Sequence, residues 1–128
     1  MRYLIDTHTL LWIVDNNPQL SKNAREIYLD EGNEILLSMA SMWEIAIKIS
    51  LKKLIIPGYL QDFVKEHILG NNIQILNISL SHIYRLETLE YHHRDPFDRL
   101  IISQSIEENI PVISSDDKFD RYGIKRIW

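Results

Sequence analysis

Apolar residues along this chain fall into two alternating kinds of segment, short β-branched runs and longer stretches at helical spacing. Tyr3-Leu4-Ile5 predicts a strand ending at Asp6. Leu10, Leu11 and Val14 then recur at helical intervals until Asn16-Asn17-Pro18 stops the segment. Ser21 is placed to cap a helix carrying Ala24, Ile27 and Tyr28, closed near Gly32, and Ile35-Leu36-Leu37 reads as a buried strand. A helix is expected from Ser41 to Lys53, where Ser41-Met42-Trp43-Glu44 has the Ser-x-x-Glu form of a capping box. Pro57-Gly58 breaks it, and Leu60, Phe63, Val64, His67 and Ile68 outline another helix that ends at Gly70. A strand from Ile73 to Ile78 leads to a helix opened by Ser79 or Ser81 and carrying Ile83, Leu86 and Leu89. Asp95-Pro96 joins a capping side chain to a proline at the first helical position, and that helix runs to about Glu108. A strand from Pro111 to Ser115, a helical turn from Lys118 to Tyr122 and a strand from Ile124 to Ile127 complete the pattern.

Strands apolar on both sides and separated by helices imply a parallel sheet covered on two faces. The expected fold is therefore α/β, a three-layer α/β/α sandwich around a central, mainly parallel sheet. With 128 residues, 45% of them hydrophobic, the chain has the size of one domain with one core, spanning 1–128. The absence of cysteine excludes a disulfide scaffold and a Cys-ligated zinc or iron–sulfur site, and it fits a reducing cytoplasm. No apolar run approaches the ~20 residues that span a bilayer, and the N-terminus has neither a basic region nor a cleavage site, so no secretory signal is expected. Fourteen Lys and Arg against eighteen Asp and Glu give a net charge of −4. Binding of polyanions by bulk charge is excluded; nucleic acid would have to be handled locally, with cations bound.

Chemistry in such sheets sits beyond the carboxyl ends of the strands. Asp6 follows the first strand, Asp116 and Asp117 follow the strand at 111–115, and Glu44 lies in the helix after the second strand. Asp95 and Asp98 occupy the start of the helix entered through His93-Arg94-Asp95-Pro96-Phe97-Asp98. A parallel sheet would bring these acids to one edge, where like charges about 6 Å apart repel by roughly 3 kcal/mol per pair at an effective dielectric of 20. Such a cluster persists only if some acids are protonated or a cation sits among them. All-oxygen ligands select Mg²⁺ or Mn²⁺ over zinc, and an ion that keeps waters suits phosphodiester hydrolysis.

Leu4-Ile5-Asp6-Thr7-His8, Trp43-Glu44-Ile45-Ala46, His93-Arg94-Asp95-Pro96-Phe97-Asp98-Arg99 and Ile113-Ser114-Ser115-Asp116 resemble, in order, the four acidic motifs of PIN domains. The likeness spans the whole chain and is strongest to the VapC-like toxins of bacterial toxin–antitoxin pairs. It implies a Mg²⁺- or Mn²⁺-dependent ribonuclease acting on an RNA substrate, commonly a homodimer and held inactive by a cognate antitoxin. Asp6, Glu44, Asp98 and Asp116 match the family's acidic quartet as catalytic and metal-holding residues, and Asp95 is an additional acid of the Asp-Pro-Phe-Asp motif. Arg99, Arg94 and Lys48, together with Lys52 and Lys118, lie near these motifs and are candidates for binding RNA phosphates.

Each acid also has a purely structural reading. Asp6 suits a turn, Glu44 closes the capping box and pairs with Lys48 one turn on, Asp95 is explained by capping, and Asp98 gains from the helix dipole. The five histidines lack zinc spacing, with His67 and His82 expected at the core edge or in solvent, and Trp12 and Trp43 suit core or dimer contacts. His93-Arg94-Asp95 imitates a kinase catalytic loop, but Leu100 stands where the asparagine belongs. Two competing functions remain: a haloacid-dehalogenase-like phosphatase with Asp6 as nucleophile and Asp116-Asp117 as its magnesium pair, and a catalytically inactive PIN-like module that binds a partner. The phosphatase pattern requires a second acid two residues after the nucleophile, where this chain has His8.

Overall fold

The period-two alternation of the strands decides which helix covers which face. In the computed structural model, which describes residues 1–128, β1 (Arg2–Ile5), β2 (Glu34–Ser38), β3 (Gln74–Leu76), β4 (Val112–Ile113) and β5 (Arg126–Ile127) form one sheet in the order β3-β2-β1-β4-β5. Every pairing is parallel. Successive side chains of a strand point to opposite faces. Ile5, Ile35, Leu37 and Ile113 accordingly enter one core, while Leu4, Leu36 and Val112 enter the other. The first core is closed by Leu10 of α1 (Thr7–Val14), Ala24 of α2 (Lys22–Leu29), Ile45 of α3 (Met39–Ser50) and Phe63 of α4 (Leu60–Phe63). The second is closed by Ile101 and Ile102 of α6 (Pro96–Glu108) and by Phe119. The helix α5 (Leu80–Thr88) packs along α6, so three layers result.

The strands are shorter than their apolar runs. Pairing on β3 stops at Leu76, not Ile78, and β4 keeps only Val112 and Ile113: Pro111 has no N–H to give the ladder, and at the other end the chain turns at Ser114, whose hydroxyl accepts from Asp116 N. The segment expected as one helix over 60–68 changes at Val64 from α-helical to a π-helical turn that runs to Ile68. The capping box at Ser41 does not form. α3 begins two residues earlier, because Ser38 ends β2 and itself accepts from Ala40 N at 3.0 Å. Ser41 is then inside the helix and fully buried. α5 opens at Ser79, whose N–H donates to His82 Nδ1 at 3.0 Å. His82, expected at the core edge or in solvent, is buried, with Nε2 2.8 Å from Glu108 Oε1. No helix is long and apolar enough to cross a membrane.

The chain steps from β1 outward to β2 and β3, then returns to the other side of β1 for β4 and β5. The order reverses between β1 and β4, the switch point where open parallel sheets leave a crevice beyond their carboxyl ends. Register aligns Ile5 with both Leu37 and Ile113. The residues following these three are Asp6, Ser38 and Ser114.

Candidate active site

Asp6 leaves β1 at that switch point and caps α1. Its Oδ1 accepts from Thr9 N at 2.9 Å, and its Oδ2 accepts from Ser114 Oγ at 2.6 Å, across from the end of β4. Burial raises its pKa, and the hydrogen bonds from Ser114 and Thr9 oppose the rise. Ser114 Oγ also accepts from Asp116 N at 3.0 Å, so one hydroxyl ties the first acid to the last. Asp116 Oδ1 accepts from Lys118 N at 3.0 Å, capping the 3₁₀ segment Asp117–Tyr122.

Glu44 stands on α3 facing Thr7. Thr7 Oγ1 donates to Glu44 Oε1 at 2.6 Å and lies 2.9 Å from Ser41 Oγ. Lys48 Nζ approaches Glu44 Oε2 to 3.3 Å one turn on. The pairing with Lys48 is the one the spacing predicts, but the partner at the other end is Thr7, not a cap.

Asp95 caps α6, accepting on Oδ1 from Phe97 N at 2.9 Å and Asp98 N at 3.0 Å. Its capping role is therefore real, and it still lines the acidic cleft. Asp98 sits one turn into α6 with His93 Nε2 3.3 Å from its Oδ2. Burial, then the charges of Asp95, Asp6, Glu44 and Asp116, push its pKa up to about 7. His93 shifts downward, chiefly through burial, against the pull of Asp95 and Asp116.

Asp6, Glu44, Asp95, Asp98 and Asp116 line one cleft of about 230 Å³, joined by Thr7, His8, His93 and Lys118, and no apolar residue lines it. Asp117 stays outside. The acids surround the cleft rather than closing on a point, and no three of them form a ready ligand cluster. A spread, all-oxygen set suits a hard cation that retains waters, and the charge felt by Asp98 is of the sign such an ion relieves. The donor chemistry therefore fits a hard divalent cation.

The basic residues divide differently. Arg99 is corrected from phosphate binder to scaffold: it is 4% exposed, donating from Nη1 to Glu90 O at 2.7 Å and from Nη2 to Leu89 O at 3.0 Å. Its guanidinium also lies 3.8 Å over the Tyr91 ring and donates from Nη1 to the Tyr122 hydroxyl at 3.2 Å, so it is turned into the fold and does not line the acidic cleft. Arg94 is exposed beside His93, outside the acidic cleft, whereas Lys118 is at its rim. Trp43 is not a core residue: it is exposed, edge-on to Phe97 with centroids 5.0 Å apart. Sequence reasoning missed Thr7 and Ser114 as holders of the acids. The signal for Ser114 was present, since the strand-end rule applies to the first residue after β4.

The sequence profile described as PIN domain matches residues 3–125. A comparison with curated proteins finds no match. Among solved structures, the chain is similar to VapBC2 from Rickettsia felis bound to a promoter DNA fragment, with TM-score 0.73 and 19% identity over 99% of this chain and 98% of that one. It is similar to a toxin–antitoxin complex from Klebsiella pneumoniae, with TM-score 0.67 and 13% identity over 98% and 96%. VapC20 of Mycobacterium tuberculosis, a toxin cleaving the sarcin–ricin loop, gives TM-score 0.67 and 12% identity over 95% of each chain. At such identities the likeness is one of fold. The profile match, covering nearly the whole length, places this chain in the PIN domain family.

Proposed function

We propose that this protein is a divalent-metal-dependent ribonuclease and the toxin of a toxin–antitoxin pair. One observation carries the reading: acids from four separate segments line a single cleft without apolar walls, at the sheet's switch point. Asp6, Glu44, Asp98 and Asp116 would hold Mg²⁺ or Mn²⁺. When bound, such an ion supplies charge stabilisation for the phosphate and a water of lowered pKa. The chain's own residues keep the carboxylates in place: Ser114 and Thr9 orient Asp6, Thr7 orients Glu44, and Asp95 fixes the turn that presents Asp98. Lys118 at the rim and Lys48 beside Glu44 are the cations nearest an incoming phosphate, with exposed Arg94 farther out.

A cognate antitoxin is the expected partner, as in the Klebsiella pneumoniae complex, and a cytoplasmic homodimer the expected form. The phosphatase reading loses support because Asp117, needed for its magnesium pair, lies outside the cleft and His8 replaces the second acid. An inactive module would have lost one of the quartet, and all four are present. The test is cleavage of single-stranded RNA and turnover of a generic phosphomonoester, each with Mn²⁺ and with EDTA. RNA cleavage confined to Mn²⁺ is expected. Phosphomonoester turnover would favour the phosphatase, and neither activity the binding module.

A further inference from the structure

The hydroxyl of Tyr122 occupies an unusual position. Three groups that can only donate face it: the backbone N–H of His92 and of His93, each at 3.3 Å, and Nη1 of Arg99 at 3.2 Å. The fourth neighbour is His93 Nδ1 at 2.7 Å, the shortest contact of the set. A phenol has one proton to give, and of these four neighbours only Nδ1 can accept it. Were Nδ1 to carry a hydrogen, four donors would converge on one oxygen and the phenolic proton would have no acceptor. Nδ1 must therefore be bare, which leaves the ring hydrogen on Nε2, 3.3 Å from Asp98 Oδ2.

We infer that Tyr122 and His93 are positioning residues for Asp98: the Tyr122 hydroxyl fixes the His93 tautomer, and the imidazole then donates Nε2–H to one oxygen of Asp98, leaving the other free for the ion. The inference rests on the reading of Asp98 as a metal-holding residue. The chain of contacts explains how a carboxylate crowded by other acids keeps a defined orientation. It also gives Arg99 an indirect part. Its guanidinium, held over Tyr91 and by two carbonyls, presents a fixed donor that turns the phenol toward the histidine. The rings of His92 and His93 pack edge-on to Tyr122 at 4.8 and 5.5 Å, which locks the ring that carries the hydroxyl. His93 and Tyr122 are 29 residues apart, joined only through the fold.

Outer-shell partners of metal ligands are commonly worth 10–100-fold in metal affinity. The test uses the full chain and two readouts besides activity. The first is the ¹⁵N spectrum of the His93 ring in EDTA. The wild type should show the neutral Nε2–H form, and an Nδ1–H form overturns the inference even if no variant folds. The second is Mn²⁺ affinity by calorimetry. Tyr122→Phe keeps the ring and should weaken Mn²⁺ binding about tenfold. In a His93→Ala background the same substitution should have no further effect, because Tyr122 acts through the imidazole. An undiminished effect there means that Tyr122 acts through Arg99 and the backbone, and overturns the relay. Asp98→Asn separates the two levels. If it leaves Mn²⁺ binding unchanged, the metal reading fails; if it weakens binding while Tyr122→Phe does not, only the present inference fails.

Discussion

Neutralising Asp98 should stabilise the metal-free protein, and by an amount that depends on pH. In the folded state its carboxyl titrates near 7, against an ordinary 3.8. Between these values the native state binds a proton that the unfolded state has released, so stability falls as pH rises from about 4 to about 7 and stays low above that. Three pKa units correspond to about 4 kcal/mol at 1.36 kcal/mol each. The side chain is 22% exposed, so solvent screens part of this. Asparagine also gives up the dipole benefit of an acid in the first turn of α6, about 0.5 kcal/mol. A net gain of about 2 kcal/mol at pH 8 remains for Asp98→Asn, falling below about 1 kcal/mol at pH 5. For a chain of this length that is a rise in Tm of about 7 °C at pH 8. Thermal melts of both proteins in EDTA at pH 5 and pH 8 measure it. A mutant that melts at or below wild type at pH 8, or a gap equal at both pH values, refutes the electrostatic reasoning. With saturating Mn²⁺ the order should reverse, since an ion at 100 times its Kd adds about 2.7 kcal/mol to the protein that binds it.

Arg99→Ala leaves the Leu89 and Glu90 carbonyls and the Tyr122 hydroxyl without their buried donor; it should cost about 3 kcal/mol in chemical denaturation and leave the salt dependence of RNA binding unchanged. A flattened salt slope would restore Arg99 as a phosphate contact. Thr7→Val removes the hydroxyl that holds Glu44 Oε1 and should lower Mn²⁺-dependent RNA cleavage about tenfold without moving Tm by more than a few degrees; full activity would mean Glu44 needs no orientation. Asp6→Asn, Glu44→Gln and Asp116→Asn should each remove most RNA cleavage, with losses that do not add when combined, whereas additive losses would mean the acids act separately.

Asp6, Asp98 and Asp116 were legible as a group because a parallel sheet places strand ends on one edge, and their strand and helix starts are written in local pattern. Glu44 was legible through its motif, while its structural alternative, a capping box with Ser41, does not form. The Ser41–Glu44 spacing satisfies a capping box, yet Ser38 at the end of β2 takes the cap first, which frees Glu44 to meet Thr7. Arg99 was misread because its place in the sequence, one residue after Asp98, says nothing about which face of α6 it occupies. The helical turn points it away from the acids and toward the loop after α5. Tyr122 carried no local signal at all. Its hydroxyl gains meaning only when the 3₁₀ segment folds back on residues 92, 93 and 99, a contact set by tertiary packing.

The central claim is that the quartet holds a divalent cation. Diffraction from crystals soaked in Mn²⁺, collected at the manganese absorption edge, tests it most directly. The account predicts an anomalous peak inside the cleft, within ligand distance of oxygens from Asp6 and Asp98 and completed by waters, and its loss from Asp98→Asn crystals. A cleft without a peak at saturating Mn²⁺, or a peak held by residues outside the quartet, would contradict it.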